Sequence, residues 1–161
     1  MKINYLHQES GRSMIEMLGV LAIMGIITVG AITMIAAAMR SQKRTAVQDE
    51  VTQIVTGVRG LLGGYDDYSG IDNSIIFAAI GVSNKNPFSG EYTLSMNPAD
   101  PRQFVLVIGG LSSSDCEYFK TKAWSDSVGY QMSGGKVGGA EAVPTDCNAQ
   151  SGQNLIRIIY S

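Results

Sequence analysis

An uncharged apolar run from Met17 to Met39 constrains this sequence more than any other feature. About 20 helical residues, each rising about 1.5 Å, are enough to cross a bilayer, and the run is long enough to do so. It contains Gly19, Gly25 and Gly30. Small residues of this kind are common in membrane helices and permit close helix contacts, in simple membrane packing or in a specific assembly. The sequence therefore predicts a membrane-spanning helix.

A cleaved secretory signal peptide is the main alternative for this segment. Lys2 supplies a basic start, and residues 36–38, all alanine, resemble a cleavage site. However, the apolar run is longer than the roughly 7 to 15 residues typical of a signal peptide. Glu16 also places a carboxylate at its start, where secretion alone has no use for one. We therefore favour a segment that is retained in the working protein.

The helical pattern continues beyond the apolar run. From Val47 to Leu62 apolar residues recur at spacings of three and four, with polar residues on the other faces. No proline occurs before Pro87, and the pair at 63–64, both glycine, is a suitable stop. We predict one helix from near Ser13 to Leu62, with a membrane half at 12–39 and an amphipathic half at 40–64.

The composition changes at Tyr65, after which come all the prolines, both cysteines and most aromatic residues. This change predicts a compact head at 65–161. The patterns predict head helices at 74–80 and 113–123 and strands at 91–96, 103–108, 127–132 and 154–160. The expected fold class is α+β, with an antiparallel sheet packed on the outer half of the long helix.

The composition argues against most chemistry. Its 12 basic and 14 acidic residues form no long run of one sign, which disfavours nucleic acid as a partner. One histidine, His7, and two cysteines are too few for a zinc site or a Cys–His catalytic pair. We therefore expect no metal, no cofactor and no enzymatic activity.

Several local patterns have ordinary structural interpretations. The segment 66–72, DDYSGID, lacks the oxygen spacing and closing glutamate of an EF-hand, so a solvated turn is the better interpretation. The segment 112–115, SSSD, is better interpreted as a helix cap than as a catalytic set. Tyr118, Phe119 and Trp124 have the spacing of core residues that pack the sheet.

The segment 11–17, GRSMIEM, stands directly before the membrane run. A carboxylate at the edge of the hydrocarbon is costly unless it is paired, so Glu16 requires a positive partner. Arg12 of the same helix, four residues away, is one candidate. If the chain is cut after Gly11, the new amino terminus, including that of a neighbouring copy, is another. The sequence leaves both partners open.

A short polar leader ending in glycine, a glutamate five residues later, an apolar helix and a soluble head resemble the type IV prepilins and the type II secretion pseudopilins. This resemblance implies a leader at 1–11 that a prepilin peptidase cuts between Gly11 and Arg12. It also implies N-methylation of Arg12 and a role for Glu16 in docking into the filament.

The head resembles the type IVb pilins in the toxin-coregulated and conjugative class. The segments that carry this likeness are NPFSGEY at 86–92, QFVLVIGGLSSSDCEYF at 103–119, and a second cysteine before NLIRIIYS at 154–161. A disulfide between Cys116 and Cys147 would close a loop of about 30 residues, whereas two free thiols in a reducing compartment are the alternative. By resemblance, the region 116–147 is exposed and carries subunit contacts and recognition surfaces.

The charges that follow the apolar run oppose the expected orientation. Arg40, Lys43 and Arg44 flank the end that we place outside the cytoplasm, although basic residues ordinarily mark the cytoplasmic side. The family resemblance favours a periplasmic head, because the opposite orientation would place Cys116 and Cys147 in a reducing compartment.

These observations predict a structural subunit of a type IVb-like pilus. It would sit in the inner membrane as a precursor with a periplasmic head, and then in an extracellular filament. Its expected partners are other copies of itself, the prepilin peptidase, the inner-membrane assembly platform and, as a monomer, the membrane. The alternatives are a minor pilin or type II secretion pseudopilin, a membrane-anchored periplasmic binding domain that never polymerises, and an anchored enzyme.

Overall fold

The computed structural model describes the backbone of residues 9–132, 147 and 152–161, and the side chains of residues 13–129, 147 and 152–161. Its first element, α1, is a helix that spans Glu9–Leu62. The end at Leu62 confirms the prediction, but the start lies four residues before the predicted Ser13. Gly11 does not stop the helix, because one interior glycine costs only about 1 kcal/mol. The chain divides into two compact units, Met1–Gln42 and Lys43–Ser161.

In the second unit, one stripe of α1 packs into the core. Val47, Val51, Ile54 and Val58 follow at spacings of four, three and four, and none is more than 3% exposed. This spacing places them on one helix face, as the amphipathic pattern predicted. The residues of the sheet in this core are Tyr92, Leu94, Phe104, Leu106, Ile108, Leu111, Ile156, Ile158 and Tyr160.

A short helix, α2, spans Asn73–Ile80 and begins at a well-formed cap. The Asp72 carboxylate accepts hydrogen bonds from the backbone N–H groups of Ser74 and Ile75, at 2.8 and 3.3 Å. Such bonds satisfy donors that have no partner within the first helical turn. The Asp72 carboxylate also accepts a hydrogen bond from the Ser74 hydroxyl. This bond, followed by the two backbone bonds, holds the pKa of Asp72 below its ordinary value. Part of the acidic segment 66–72 is therefore a helix cap.

The sheet contains four strands in the spatial order β1-β2-β4-β3, and every neighbouring pair is antiparallel. The strands are β1 (Tyr92–Asn97), β2 (Asp100–Leu111), β3 (Ser127–Met132) and β4 (Asn154–Tyr160), and helix α3 (Ser113–Lys120) connects β2 to β3. The last strand therefore inserts between β2 and β3. This arrangement confirms the predicted α+β class, with a long N-terminal helix and an antiparallel sheet.

Strand β2 is longer than the predicted 103–108. It begins at Asp100 and continues through Gly109 and Gly110 to Leu111, with an irregularity in its register with β4. Gly110 adopts a φ of 76°, which glycine tolerates and other residues rarely adopt. The glycines therefore form a bulge within the strand rather than a turn after it.

Helix α3 ends three residues before the predicted 123, and its aromatic residues divide between core and surface. Phe119 is fully buried and Trp124 is partly buried against the core, as expected. The prediction was wrong for Tyr118, whose side chain is 36% exposed. Neighbouring helical residues point about 100° apart, so Tyr118 and Phe119 cannot both face the sheet.

Candidate functional site

The described residues of the first unit leave the apolar part of α1 exposed. Every Val, Leu, Ile and Met between Met14 and Met39 is more than half exposed. This is the one helix among the described residues that is long and apolar enough to cross a membrane. Burying each such side chain contributes about 1.5 to 3 kcal/mol, so lipid or other apolar helices would cover this surface favourably.

Two threonines within this segment have their hydroxyl groups satisfied by the helix itself. The Thr28 hydroxyl donates to the Met24 carbonyl at 2.7 Å, and the Thr33 hydroxyl donates to the Gly30 carbonyl at 2.8 Å. Polar groups that bond within their own helix can enter hydrocarbon without an unpaired donor. The segment is therefore suited to an apolar environment over its whole length.

Glu16 lies on α1 with its side chain exposed, near the N-terminal end of this apolar surface. The backbone of Gly11 and Arg12 is helical, but the Arg12 side chain and residues 1–8 of the expected leader lie outside the described part of the chain. Arg12 therefore stays one of the two candidate partners of Glu16, and the processing site stays a prediction.

Two of the segments that carry the resemblance in the head, 86–92 and 103–119, lie against each other. The Asn86 side chain is buried, and its oxygen accepts from the N–H groups of Phe88 and Gly90 at 2.9 and 3.0 Å. Its Nδ2 donates to the Gly109 carbonyl at 2.7 Å. Gly90 approaches Gly109 and Gly110 so closely that a Cβ on Gly90 would collide with their backbone atoms. Asn86 thus fixes the NPFSG turn against the end of β2.

Cys116 and Cys147 form a disulfide, with their Cα atoms 5.7 Å apart. Both cysteines are buried, and Cys116 lies in α3, whose N-terminus is capped by the Ser112 hydroxyl. The predicted capping role of the serine segment is therefore confirmed for Ser112. The disulfide bounds the region 116–147, of which residues 133–146 lie outside the described part of the chain.

Comparison with known proteins points to one family. No protein-family model matches the chain. It is 32% identical over 121 residues to the major structural subunit of the bundle-forming pilus of Escherichia coli O127:H6, a match that covers 67% of this chain and 62% of the relative. It is 24% identical over 130 residues to the toxin coregulated pilin of Vibrio cholerae, a match that covers 70% of this chain and 57% of the relative.

The chain is a relative of the type IVb pilins. The matched region is less than two thirds of each relative's own length. The comparison confirms the family resemblance, and the fold and the disulfide agree with it. The named relatives are structural proteins rather than enzymes.

The second unit also contains an ion pair that sequence reasoning missed. Arg44 donates from Nε to Asp115 Oδ1 at 2.9 Å, and its Nη2 lies 2.8 Å from the same oxygen. The guanidinium also stacks over the Tyr118 ring, 4.3 Å from its centre. Asp115 is 2% exposed and accepts a further hydrogen bond from the Ser112 hydroxyl at 2.5 Å.

This pair joins α1 to the cap of α3 across 71 positions of sequence. The sequence indicates Arg44 as a charge beside the membrane segment and Asp115 as part of a helix cap. No local pattern reveals such a pair. The one local indication is that Asp115, a charged residue, directly precedes Cys116, which is buried.

Asp67 and Asp72 of the segment 66–72 make local hydrogen bonds. Asp67 accepts from the Ser69 hydroxyl at 2.5 Å and from its N–H at 3.0 Å, and Asp72 caps α2. Among the described residues, no group of three or more His, Cys, Asp or Glu side chains is arranged to hold a metal ion.

Proposed function

We propose that this chain is a structural subunit of a type IVb-like pilus. The observation that carries the proposal is the exposed apolar helix from Met14 to Met39, in one chain with a disulfide-linked head related to pilins. An apolar helix needs lipid around the monomer, and it would find an equivalent apolar environment among the helices of other copies. The chain could therefore pass from membrane to filament without exposing this surface to water.

The proposed organisation follows these properties. Residues 1–11 form a leader, residues 12–39 form the membrane and filament-core segment, residues 40–64 continue the helix, and residues 65–161 form the head. The prepilin peptidase cuts between Gly11 and Arg12 and methylates Arg12. The inner-membrane assembly platform then receives the mature chain.

Glu16 supplies the polar contact in an otherwise apolar filament core. Its carboxylate pairs with the amino terminus of a neighbouring copy, which sets the axial position of one helix against the next. An unpaired carboxylate in hydrocarbon costs several kcal/mol, so a helix whose Glu16 does not reach this partner would be unstable in the filament core.

A periplasmic head, and later an extracellular one, is supported by the disulfide, since such bonds persist in oxidising compartments. The basic residues after the apolar run oppose this orientation less strongly than their number indicates. Arg44 pairs with the buried Asp115, so its presence has a structural reason that is independent of membrane orientation.

The test is filament formation by cells that express the full chain as wild type or as Glu16→Ala. We expect surface fibres that contain the wild-type chain, and a Glu16→Ala chain that inserts into the membrane but is absent from fibres. The matched control is Glu91→Gln, which neutralises an exposed carboxylate of the head. Normal fibres from Glu16→Ala would contradict the proposed role of Glu16.

If the wild-type chain stays in the membrane without forming fibres, the anchored binding domain becomes the better account. If the chain enters fibres only as a trace component beside another subunit, it is a minor pilin or pseudopilin. The proportion of the chain in sheared surface fibres separates these outcomes.

A further inference from the structure

The first turns of α1 beyond the apolar run carry only positive charge. Arg40, Lys43 and Arg44 follow the run, and no aspartate or glutamate occurs at positions 17–48. At a rise of about 1.5 Å per residue, all three cations lie within about 8 Å of the end of the run. The polar layer of a bilayer extends about 5 to 8 Å beyond the hydrocarbon on each side. A helix that crosses the membrane with this run therefore places the cations among the lipid headgroups.

The three cations share one face of α1. Their spacings of three and four residues place them within about 100° of one another around the helix. Arg40 and Lys43 have exposed side chains. In the described part of the chain, no carboxylate pairs with Lys43. This face is therefore a compact positive surface that an anion can reach.

The third cation has a different partner. The Nη2 atom of Arg44 lies 2.8 Å from Asp115 Oδ1, and the Arg44 side chain is 22% exposed. Because this guanidinium is committed to a buried carboxylate, it contributes little charge to the exposed surface. Arg40 and Lys43 are the cations that remain to meet a partner outside the chain.

The part of the head beside Arg44 adds no net negative charge to this surface. Arg44 reaches the first turn of α3, where its Nη2 donates to the Ser114 carbonyl at 3.4 Å. Ser114 is exposed, whereas Asp115 is buried and neutralised by Arg44. Glu117 of the next turn pairs with Lys120 at 3.6 Å. An anion beside Lys43 is therefore not repelled by this turn of the head.

We propose that Arg40 and Lys43 bind the phosphate groups of anionic phospholipids when the chain is inserted in a membrane. This inference rests on the membrane insertion in the proposed function, and it adds the lipid class that the inserted chain selects. The positive face continues directly from the apolar surface of α1, so one lipid molecule can cover both. Lysine and arginine also have apolar stems that stay near hydrocarbon while the charge reaches the headgroup.

Lipid binding gives these charges a role on the outer side of the membrane. Basic residues ordinarily mark the cytoplasmic side, yet Arg40 and Lys43 follow the end of the run that we place outside. Each basic residue near an anionic lipid surface favours association about fivefold. The two residues together would hold the end of the membrane segment at the level of the headgroups.

The test measures which lipid contacts the full chain in vesicles of phosphatidylcholine. A trace of spin-labelled phosphatidylglycerol or spin-labelled phosphatidylcholine is added, and electron paramagnetic resonance separates the labels that contact the helix from those in the bulk bilayer. We expect the wild-type chain to prefer phosphatidylglycerol at least about twofold, and high salt to reduce this preference. The double variant Arg40→Gln with Lys43→Gln should lose most of it.

Two further variants separate a local site from a general effect of charge. Arg102→Gln removes the same charge from an exposed position near the start of β2, the opposite end of that strand from α3, and should keep the wild-type preference. Lys43→Arg keeps the charge and should also keep the preference. An equal loss of preference in Arg102→Gln and in the double variant would contradict a site at Arg40 and Lys43.

The remaining outcomes are also decisive. Equal association of the two lipids with the wild-type chain would overturn the inference, and so would a preference that survives in the double variant. If the double variant keeps its lipid preference but no longer enters fibres, the two cations contact another copy of the chain instead of lipid. Absence of fibres from the wild-type chain would contradict the pilus function alone, because the lipid measurement uses the unassembled chain.

Discussion

The ion pair between Arg44 and Asp115 should stabilise the head through a strong mutual coupling. The Asp115 side chain is 3% exposed and that of Arg44 is 22% exposed, and two guanidinium nitrogens lie within 2.9 Å of one carboxylate oxygen. Removing one member of a buried pair costs about 3 to 5 kcal/mol, because the other charge is left without its partner.

The two single substitutions should have unequal effects. Arg44→Met leaves the Asp115 carboxylate buried with the Ser112 hydroxyl, so we expect a loss of about 3 to 5 kcal/mol in the free energy of unfolding. Asp115→Asn leaves Arg44 partly exposed and stacked on Tyr118, so we expect a smaller loss of about 2 to 3 kcal/mol. The double variant should lose less than the sum, with a coupling of about 2 kcal/mol.

The assay is urea unfolding of the full chain in detergent, followed by the fluorescence of Trp124, the single tryptophan. Trp124 packs on Phe119 with ring centres 5.7 Å apart, so its emission reports on the head. The control cycle uses Lys85→Met and Glu91→Gln, an ion pair whose side chains are 66% and 55% exposed, and should show a coupling below about 1 kcal/mol. Additive effects of Arg44→Met and Asp115→Asn would refute the argument.

Three further predictions concern local features of the head. Replacing Cys116 and Cys147 together by alanine should lower the free energy of unfolding by about 3 to 4 kcal/mol, since the disulfide closes a separation of 31 residues; an unchanged urea midpoint would contradict this. Gly110→Ala should cost at least about 1 kcal/mol because its φ is 76°, whereas Gly129→Ala on β3 should cost less, and equal unfolding midpoints would argue against strain at Gly110. The pKa of Asp72 is lower in the folded chain than in the unfolded chain, so its stabilising contribution is present above about pH 4 and is lost as the pH falls further. Asp72→Asn should therefore reduce the acid sensitivity of unfolding, and an identical pH profile would contradict that role.

Local patterns were enough to predict much of this fold. The amphipathic spacing of Val47, Val51, Ile54 and Val58 predicted the buried face of α1, and β3 and β4 have the predicted bounds. These features depend on side-chain periodicity, which a sequence displays directly. The disulfide was also predicted, because the chain offers one pair of cysteines.

The features that sequence reasoning missed depend on residues that are distant in the chain. β4 lies between β2 and β3, an order that no local pattern specifies. The pairing of Arg44 with Asp115 exists only after the head has folded. The extension of β2 through Gly109 and Gly110 was missed for another reason, since consecutive glycines are compatible with both a turn and a strand bulge.

Mass spectrometry of the chain recovered from sheared surface fibres tests the central claim most directly. The pilus account predicts a chain that begins at Arg12, carries one added methyl group, and is two hydrogen masses lighter than its fully reduced form. A chain found only in the membrane fraction, with Met1 and the leader intact, would contradict it.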